Sequence, residues 1–191
     1  RCPALGAGDG QCFFFYKGSM NNPMGNITYV PWGFGETFDF FVNPGDFDGD
    51  GKFDFCIQRT DPSAAGAGQF VLLRSSDFGI EYINWGRDTD IIVPGDYDGD
   101  GKYDYCVSRA ETIDGVAGRS YYILERDGGG TGASPIRWGI AGDVRTPGDY
   151  DGDGKTDIAI WRPNANPDLN FFYVRRSSDG AYRWHLARAL P

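Results

Sequence analysis

The chain has 191 residues, a formal net charge of −9, and 29 Gly, 11 Pro, 14 Phe, 11 Tyr and 5 Trp. That length suffices for one domain with its own core, and the acidity argues against nucleic acid, which needs a basic footprint. No apolar run is long enough to span a bilayer as a helix, no charged-then-apolar signal segment opens the sequence, and the start at Arg1, with no Met, suggests a mature chain whose leader has already been removed.

Abundant Gly, Pro and aromatics beside scarce Leu and Met predict an all-β protein of short strands and tight turns. In chain order, an aromatic strand that turns basic is expected at FFFYK (13–17), then a strand around Trp32. A short extended stretch, FDFFVNPGD (38–46), leads into an acidic loop and the strand FDFCIQR (53–59). The cycle repeats with FVLLR (70–74), Trp85, DTDIIVPGD (88–96) and YDYCVSR (103–109). It repeats again with YYILER (121–126), Trp138, DVRTPGD (143–149) and TDIAIWR (156–162), and closes on FFYVRR (171–176) and Trp184.

The unit is strand, loop, strand, strand, strand, recurring about every fifty residues. One repeat domain over 1–191 is expected, with repeats of about 1–37, 38–87, 88–141 and 142–191, the first lacking its loop. Four-stranded units of this length predict propeller-like blades, whose two apolar faces only neighbouring blades can cover. The repeated Trp then serves blade packing. The last repeat stops at LARALP (186–191), at the phase of a first strand, and that strand is the one missing beside residues 1–5. Such ends close a ring within one chain or join chains head to tail into a homopolymer, and the sequence allows both.

Three copies of one string occupy the loops: PGDFDGDGKFD (44–54), PGDYDGDGKYD (94–104) and PGDYDGDGKTD (147–157). Each places carboxylates at positions 1, 3, 5 and 9 of a nine-residue loop. These are Asp46, Asp48, Asp50 and Asp54; Asp96, Asp98, Asp100 and Asp104; and Asp149, Asp151, Asp153 and Asp157. Lys52, Lys102 and Lys155 at position 7 are expected to offer a backbone carbonyl and to point the ammonium outward, and Gly at position 6 allows the sharp turn. Oxygen-only ligands at this spacing predict three Ca2+ ions rather than Mg2+, which dehydrates reluctantly. An EF-hand is excluded, because position 12 is Ile57, Val107 or Ile160, inside a predicted strand, where a bidentate Glu would stand.

The motif DxDxDGxxD, with aromatic–Gly pairs Trp32–Gly33, Trp85–Gly86 and Trp138–Gly139, resembles the FG-GAP or VCBS-type calcium-binding propeller repeat of integrin α subunits and secreted bacterial proteins. The resemblance implies a β-propeller, calcium at the three loops, and extracellular adhesion or recognition. The chain departs from that family in having four repeats where seven or so blades are usual.

The four cysteines are Cys2, Cys12, Cys56 and Cys106. Their spacing is not that of a zinc site. Disulfides in an oxidising compartment are expected, with Cys2–Cys12 plus Cys56–Cys106 first among three pairings, and buried free thiols as the other reading. Asn26-Ile27-Thr28 is a glycosylation sequon, placing Asn26 on an exposed turn. No nucleophile motif, phosphate loop or HExxH occurs, and the single His185 reads as a packed strand residue, so no enzyme is expected. The expected function is a secreted, calcium-stabilised module for adhesion or structural assembly, with a protein or glycan surface as ligand. The alternative is a lectin-like carbohydrate-binding module.

Overall fold

A computed structural model of the chain describes residues 10–18, 22–34, 39–42, 44–132 and 134–186. The described residues form four antiparallel sheets, with no α-helix and one short 3-10 turn at Pro167–Leu169. Sheet I pairs β1 (Gln11–Tyr16) with β2 (Thr28–Phe34). Sheet II runs β3 (Asp39–Val42), β4 (Phe55–Thr60), β5 (Ala67–Leu73) and β6 (Ile80–Arg87) as a simple meander. Sheet III does the same with β7 (Ile91–Ile92), β8 (Tyr105–Ile113), β9 (Val116–Leu124) and β10 (Ile136–Arg137). Sheet IV follows with β11 (Val144–Arg145), β12 (Ile158–Arg162), β13 (Phe171–Arg175) and β14 (Tyr182–Leu186). Strand therefore precedes and follows every acidic loop. No helix among the described residues is long and apolar enough to cross a membrane.

Burial explains the strand sequences. The middle strands are covered on both faces and read as continuous apolar runs: Phe55 to Gln58 and Gly68 to Leu73 are all buried. The outer strand β6 has one covered face and alternates between exposed and half-buried positions. Tight turns carry the residues their backbone demands. Asp114 and Gly115 join β8 to β9 with φ of 52° and 77°, the two positive values a two-residue hairpin turn requires.

The sheets stack in chain order. Phe14 and Tyr16 of sheet I pack on Phe55 of sheet II, and the Arg59 guanidinium lies over the Phe34 ring. Between sheets II and III the core is Phe47, Cys56, Phe70, Leu72, Ile92, Tyr105 and Val107. Between III and IV it is Val93, Cys106, Tyr121, Ile123 and Ile158. The expected packing role of the tryptophans takes a definite form here. The Trp85 indole N–H donates to the Tyr122 carbonyl of the next sheet (3.2 Å), and Trp138 donates to the Tyr173 carbonyl (3.3 Å). Trp184 has no such partner among the described residues and is 66% exposed. The glycine after each of the first two is needed as well. Gly86 sits at φ +79°, and an added Cβ would lie 2.9 Å from Val107.

A second inter-sheet device was not expected. Asp90, fully buried, takes a bidentate ion pair from Arg109 at 2.9 and 2.7 Å, while the same guanidinium lies 4.3 Å from the Tyr122 ring centroid. Asp143 and Arg162 repeat this one sheet later, with Arg162 over Tyr173. The signal was available: Arg59, Arg109 and Arg162 each fall five residues after the last loop aspartate.

The cysteine expectation needs one correction. Cys56 and Cys106 are free thiols with no exposed surface, not a disulfide. Each occupies the same face of its own sheet, so Cys56 points into the II–III layer and Cys106 into the III–IV layer. Cys56 and Cys106 stand at equivalent places of successive sheets, and that equivalence is what separates them. Cys12 is disulfide-bonded, and Cys2 lies outside the described residues. Asn26 is exposed and stands just before β2, and His185 is an exposed residue of β14.

Two outcomes follow from this packing. Burial pushes the Cys106 thiol up to about 12 and Cys56 up as well, so a thiol reagent should label neither in the native protein and both in denaturant. Asp90→Ala should cost about 3 kcal/mol by leaving a desolvated guanidinium unpaired. Asp143→Ala should cost less, because the Arg162 side chain is 33% exposed against 14% for Arg109. Urea unfolding of the two variants gives the comparison.

Candidate metal centre

Each acidic loop fills the connection between the first and second strands of a four-stranded sheet. Its ends are closed by backbone bonds from Asp54 to Gly45 (2.7 Å), Asp104 to Gly95 (2.8 Å) and Asp157 to Gly148 (2.9 Å). Within it, the position-1 carboxylate accepts backbone N–H groups from two glycines. Asp46 binds Gly49 and Gly51, Asp96 binds Gly99 and Gly101, and Asp149 binds Gly152 and Gly154, at 2.6–3.0 Å. The position-5 carboxylate accepts the position-7 N–H at 2.8 Å in all three loops. Glycine at positions 4 and 6 is required, since both have positive φ in every loop.

The position-9 aspartates play a different part from the rest. Asp54, Asp104 and Asp157 have no exposed surface, and both oxygens of each are bound. One oxygen accepts the position-2 N–H, from Phe47 (2.9 Å), Tyr97 (2.8 Å) or Tyr150 (2.9 Å). The other accepts an N–H from the turn after the third strand, from Ser75 (2.7 Å), Arg126 (3.0 Å) or Ser177 (2.7 Å). Each thus ties its loop to a hairpin turn about twenty residues away. Burial pushes the Asp104 carboxyl up to about 6, against the pull of its two N–H donors, and Asp54 is shifted the same way for the same reason. A cation beside them would favour the ionised form.

Carboxylate oxygens gather within 4.8 Å in each loop: Asp46, Asp48 and Asp50 in the first, Asp96, Asp98 and Asp104 in the second, Asp149, Asp151 and Asp157 in the third. All four sequence positions 1, 3, 5 and 9 appear across these groups, although no single loop unites the four. Asp54, Asp100 and Asp153 lie outside them, and Asp153 instead accepts the Ser177 hydroxyl at 3.0 Å. The donor set is all oxygen, which fits a hard cation. These groups can hold a metal ion; their oxygens do not by themselves specify which.

The lysine expectation is only partly met. Lys52 folds its ammonium back onto Asp50 at 2.8 Å, so it does not simply point outward. The stems of Lys102 and Lys155 lie against the preceding loop, 3.1 Å from where a Cβ on Gly49 or Gly99 would stand. Consecutive loops are also joined by backbone. Tyr103 N–H donates to the Asp46 carbonyl (2.7 Å) and Thr156 N–H to the Asp96 carbonyl (2.5 Å). The Gly of the first two Pro-Gly-Asp strings lies against the next loop: a Cβ on Gly45 would collide with the Tyr103 ring, and one on Gly95 would meet Thr156 at 2.7 Å.

Sequence reading missed the turn that faces each loop. Ser76 Oγ donates to Asp48 (2.6 Å) and Ser178 Oγ to Asp151 (2.5 Å). The matching Ser-Ser-Asp triplets at 75–77 and 177–179 were a visible signal. The second loop departs from this pattern. Glu125 and Asp127 stand where the other two turns have Arg74 or Arg176 and Ser76 or Ser178, and with Asp98 they form a further acidic group. Neither a family model nor a curated protein matches this sequence.

The division of labour is testable without metal. Asp104→Asn sets an amide N–H against a backbone N–H and should destabilise the chelator-treated protein by about 1–3 kcal/mol. Asp98→Asn removes one of several crowded charges and should leave that baseline undiminished. Urea titration in EDTA compares them.

Proposed function

We propose that the chain is an extracellular, calcium-stabilised, propeller-like module that works by surface contact, in adhesion or structural assembly. The observation that carries this reading is one loop geometry built three times, each time clasped by a buried aspartate to the same turn of its sheet. Calcium suits flexible, carboxylate-rich oxygen sites of six to eight ligands, where magnesium prefers to keep its waters. In this reading the ion takes oxygens from positions 1 and 3, joined by position 5 in the first loop and by position 9 in the second and third, together with the position-7 carbonyl and water, while position 9 also braces each loop. It neutralises carboxylates that otherwise repel one another at close range. The sheets are then read as blades of the FG-GAP or VCBS type, supported by the meander order that sheets II to IV share and by the indole bonds that sheets II and III give the sheet after them.

A stabilising rather than catalytic role suits the position of the ions, between strands and away from any nucleophile–base pair. The consequence is that function lies on the outer surfaces that the stack displays, and head-to-tail self-association is one form such contact takes.

Calcium at 100 times its dissociation constant should stabilise by about 2.7 kcal/mol per site. Melting with calcium and with excess EDTA reads the sum, and an unchanged melting temperature would sink the reading. Calorimetric titration should count three ions, and two in Asp98→Ala. Negative-stain images with calcium present then distinguish a closed particle from a filament, while images of neither form would leave assembly without support.

A further inference from the structure

The layer between sheets III and IV contains a group of hydrogen-bonding side chains that the metal loops do not use. Tyr121 and Ser108, directly paired across β9 and β8, are each 1% exposed. Beyond their contact with each other, neither hydroxyl has a hydrogen-bond partner among the described residues, and the buried Arg119 Nε and Arg145 Nη1 have none either. Arg119 stands on β9 two residues before Tyr121, on the same face. Arg145 stands on β11 opposite Ile160, on the side that faces sheet III. Burial lowers the Arg145 pKa, and the Arg119 charge nearby lowers it further. Burial lifts Tyr121 up to about 12, opposed by the Ser108 hydroxyl and then by the same two charges. Neither arginine forms an ion pair with any described residue, although the chain carries an excess of carboxylates.

The preceding layer is built differently at the same register. Between sheets II and III the positions of Ser108, Arg119, Tyr121 and Arg145 are held by Gln58, Gly68, Phe70 and Ile92. Gln58 spends its amide on the Arg87 carbonyl at 3.1 Å, and Phe70 and Ile92 are core residues. One layer of the stack has thus exchanged an apolar interior for two like charges and two hydroxyls. Two half-buried guanidinium groups held together without a counter-ion are costly, and a buried hydroxyl pair with no partner beyond itself adds to the cost.

We propose that Arg119, Arg145, Tyr121 and Ser108 form a binding site for a small oxyanion, a sulfate, phosphate or carboxylate group. Guanidinium groups match such oxygens by geometry as well as charge, and the two hydroxyls supply further donors. Both arginines are only partly buried, so the anion enters from solvent. Its binding would tie β9 of sheet III to β11 of sheet IV by a bridge independent of the metal loops.

The test is calorimetric titration of the intact, calcium-loaded protein with sodium sulfate and with sodium acetate at ionic strength fixed with chloride. One saturable site is expected for at least one of the two, and which one binds identifies the tetrahedral or the carboxylate source. Arg145→Ile restores the residue type of the preceding layer, and Arg119→Gln removes the other charge. Each should weaken binding at least tenfold while its calcium titration stays that of the wild type. The bound anion should also protect Arg119 and Arg145 from phenylglyoxal in the wild-type chain, which locates the site even if a variant fails to fold. Absence of saturation by either anion, wild-type affinity in the variants, or unprotected arginines would overturn the proposal. None of those results touches the calcium reading, which the chelation experiment decides separately.

Discussion

A carboxylate buried between two backbone segments is the interaction on which this architecture turns. Asp54, Asp104 and Asp157 each accept one N–H from their own loop and one from a turn about twenty residues on. An ionised group accepting two backbone bonds is held more strongly than a neutral one, yet it must be kept out of water to do so. That tension fixes the loop's shape. The loop curls so that its other aspartates crowd above the clasp, and the crowding in turn makes a cation welcome. The capacity to hold a cation and the hairpin geometry are therefore consequences of one arrangement.

The same economy appears between sheets. The sheets bury aromatic and aliphatic side chains in two successive layers, but nondirectional burial does not set which strand faces which. Polar contacts do. Trp85 and Trp138 aim an indole N–H at the third strand of the next sheet, and the Asp90–Arg109 and Asp143–Arg162 pairs stitch the linker before a sheet to its second strand. With the backbone bonds from Tyr103 and Thr156 at the loop edge, each junction is pinned at several places along its length.

Much of this was legible in the sequence, and the limits have physical causes. Period-fifty recurrence gave the strands and their order, because identical strings must occupy equivalent places. The pairing of Cys56 with Cys106 did not hold: their equivalent places imply parallel orientation on stacked sheets, not contact. The four loop carboxylates were found by spacing, but spacing treats them alike. Only burial separates Asp104, bound on both oxygens, from Asp98, which shares its cluster. Arg109 and Arg162 were written at a fixed offset from the loop and still went unread, since an arginine ending a strand looks like an ordinary solvated residue until its aspartate is seen. Arg145 in place of Ile92 was equally visible as a break in the pattern, and its meaning depended on Arg119 arriving from another strand.

The glycine ahead of each acidic loop has a consequence for how such a chain can change over time. Gly45 receives the ring of Tyr103, and Gly95 receives the smaller Thr156, so each socket is matched to one particular successor. Units that look interchangeable on paper are keyed to their neighbours. Swapping the second and third copies, or duplicating one of them, would present a socket with the wrong plug, and the backbone rung beside it would be lost along with the fit.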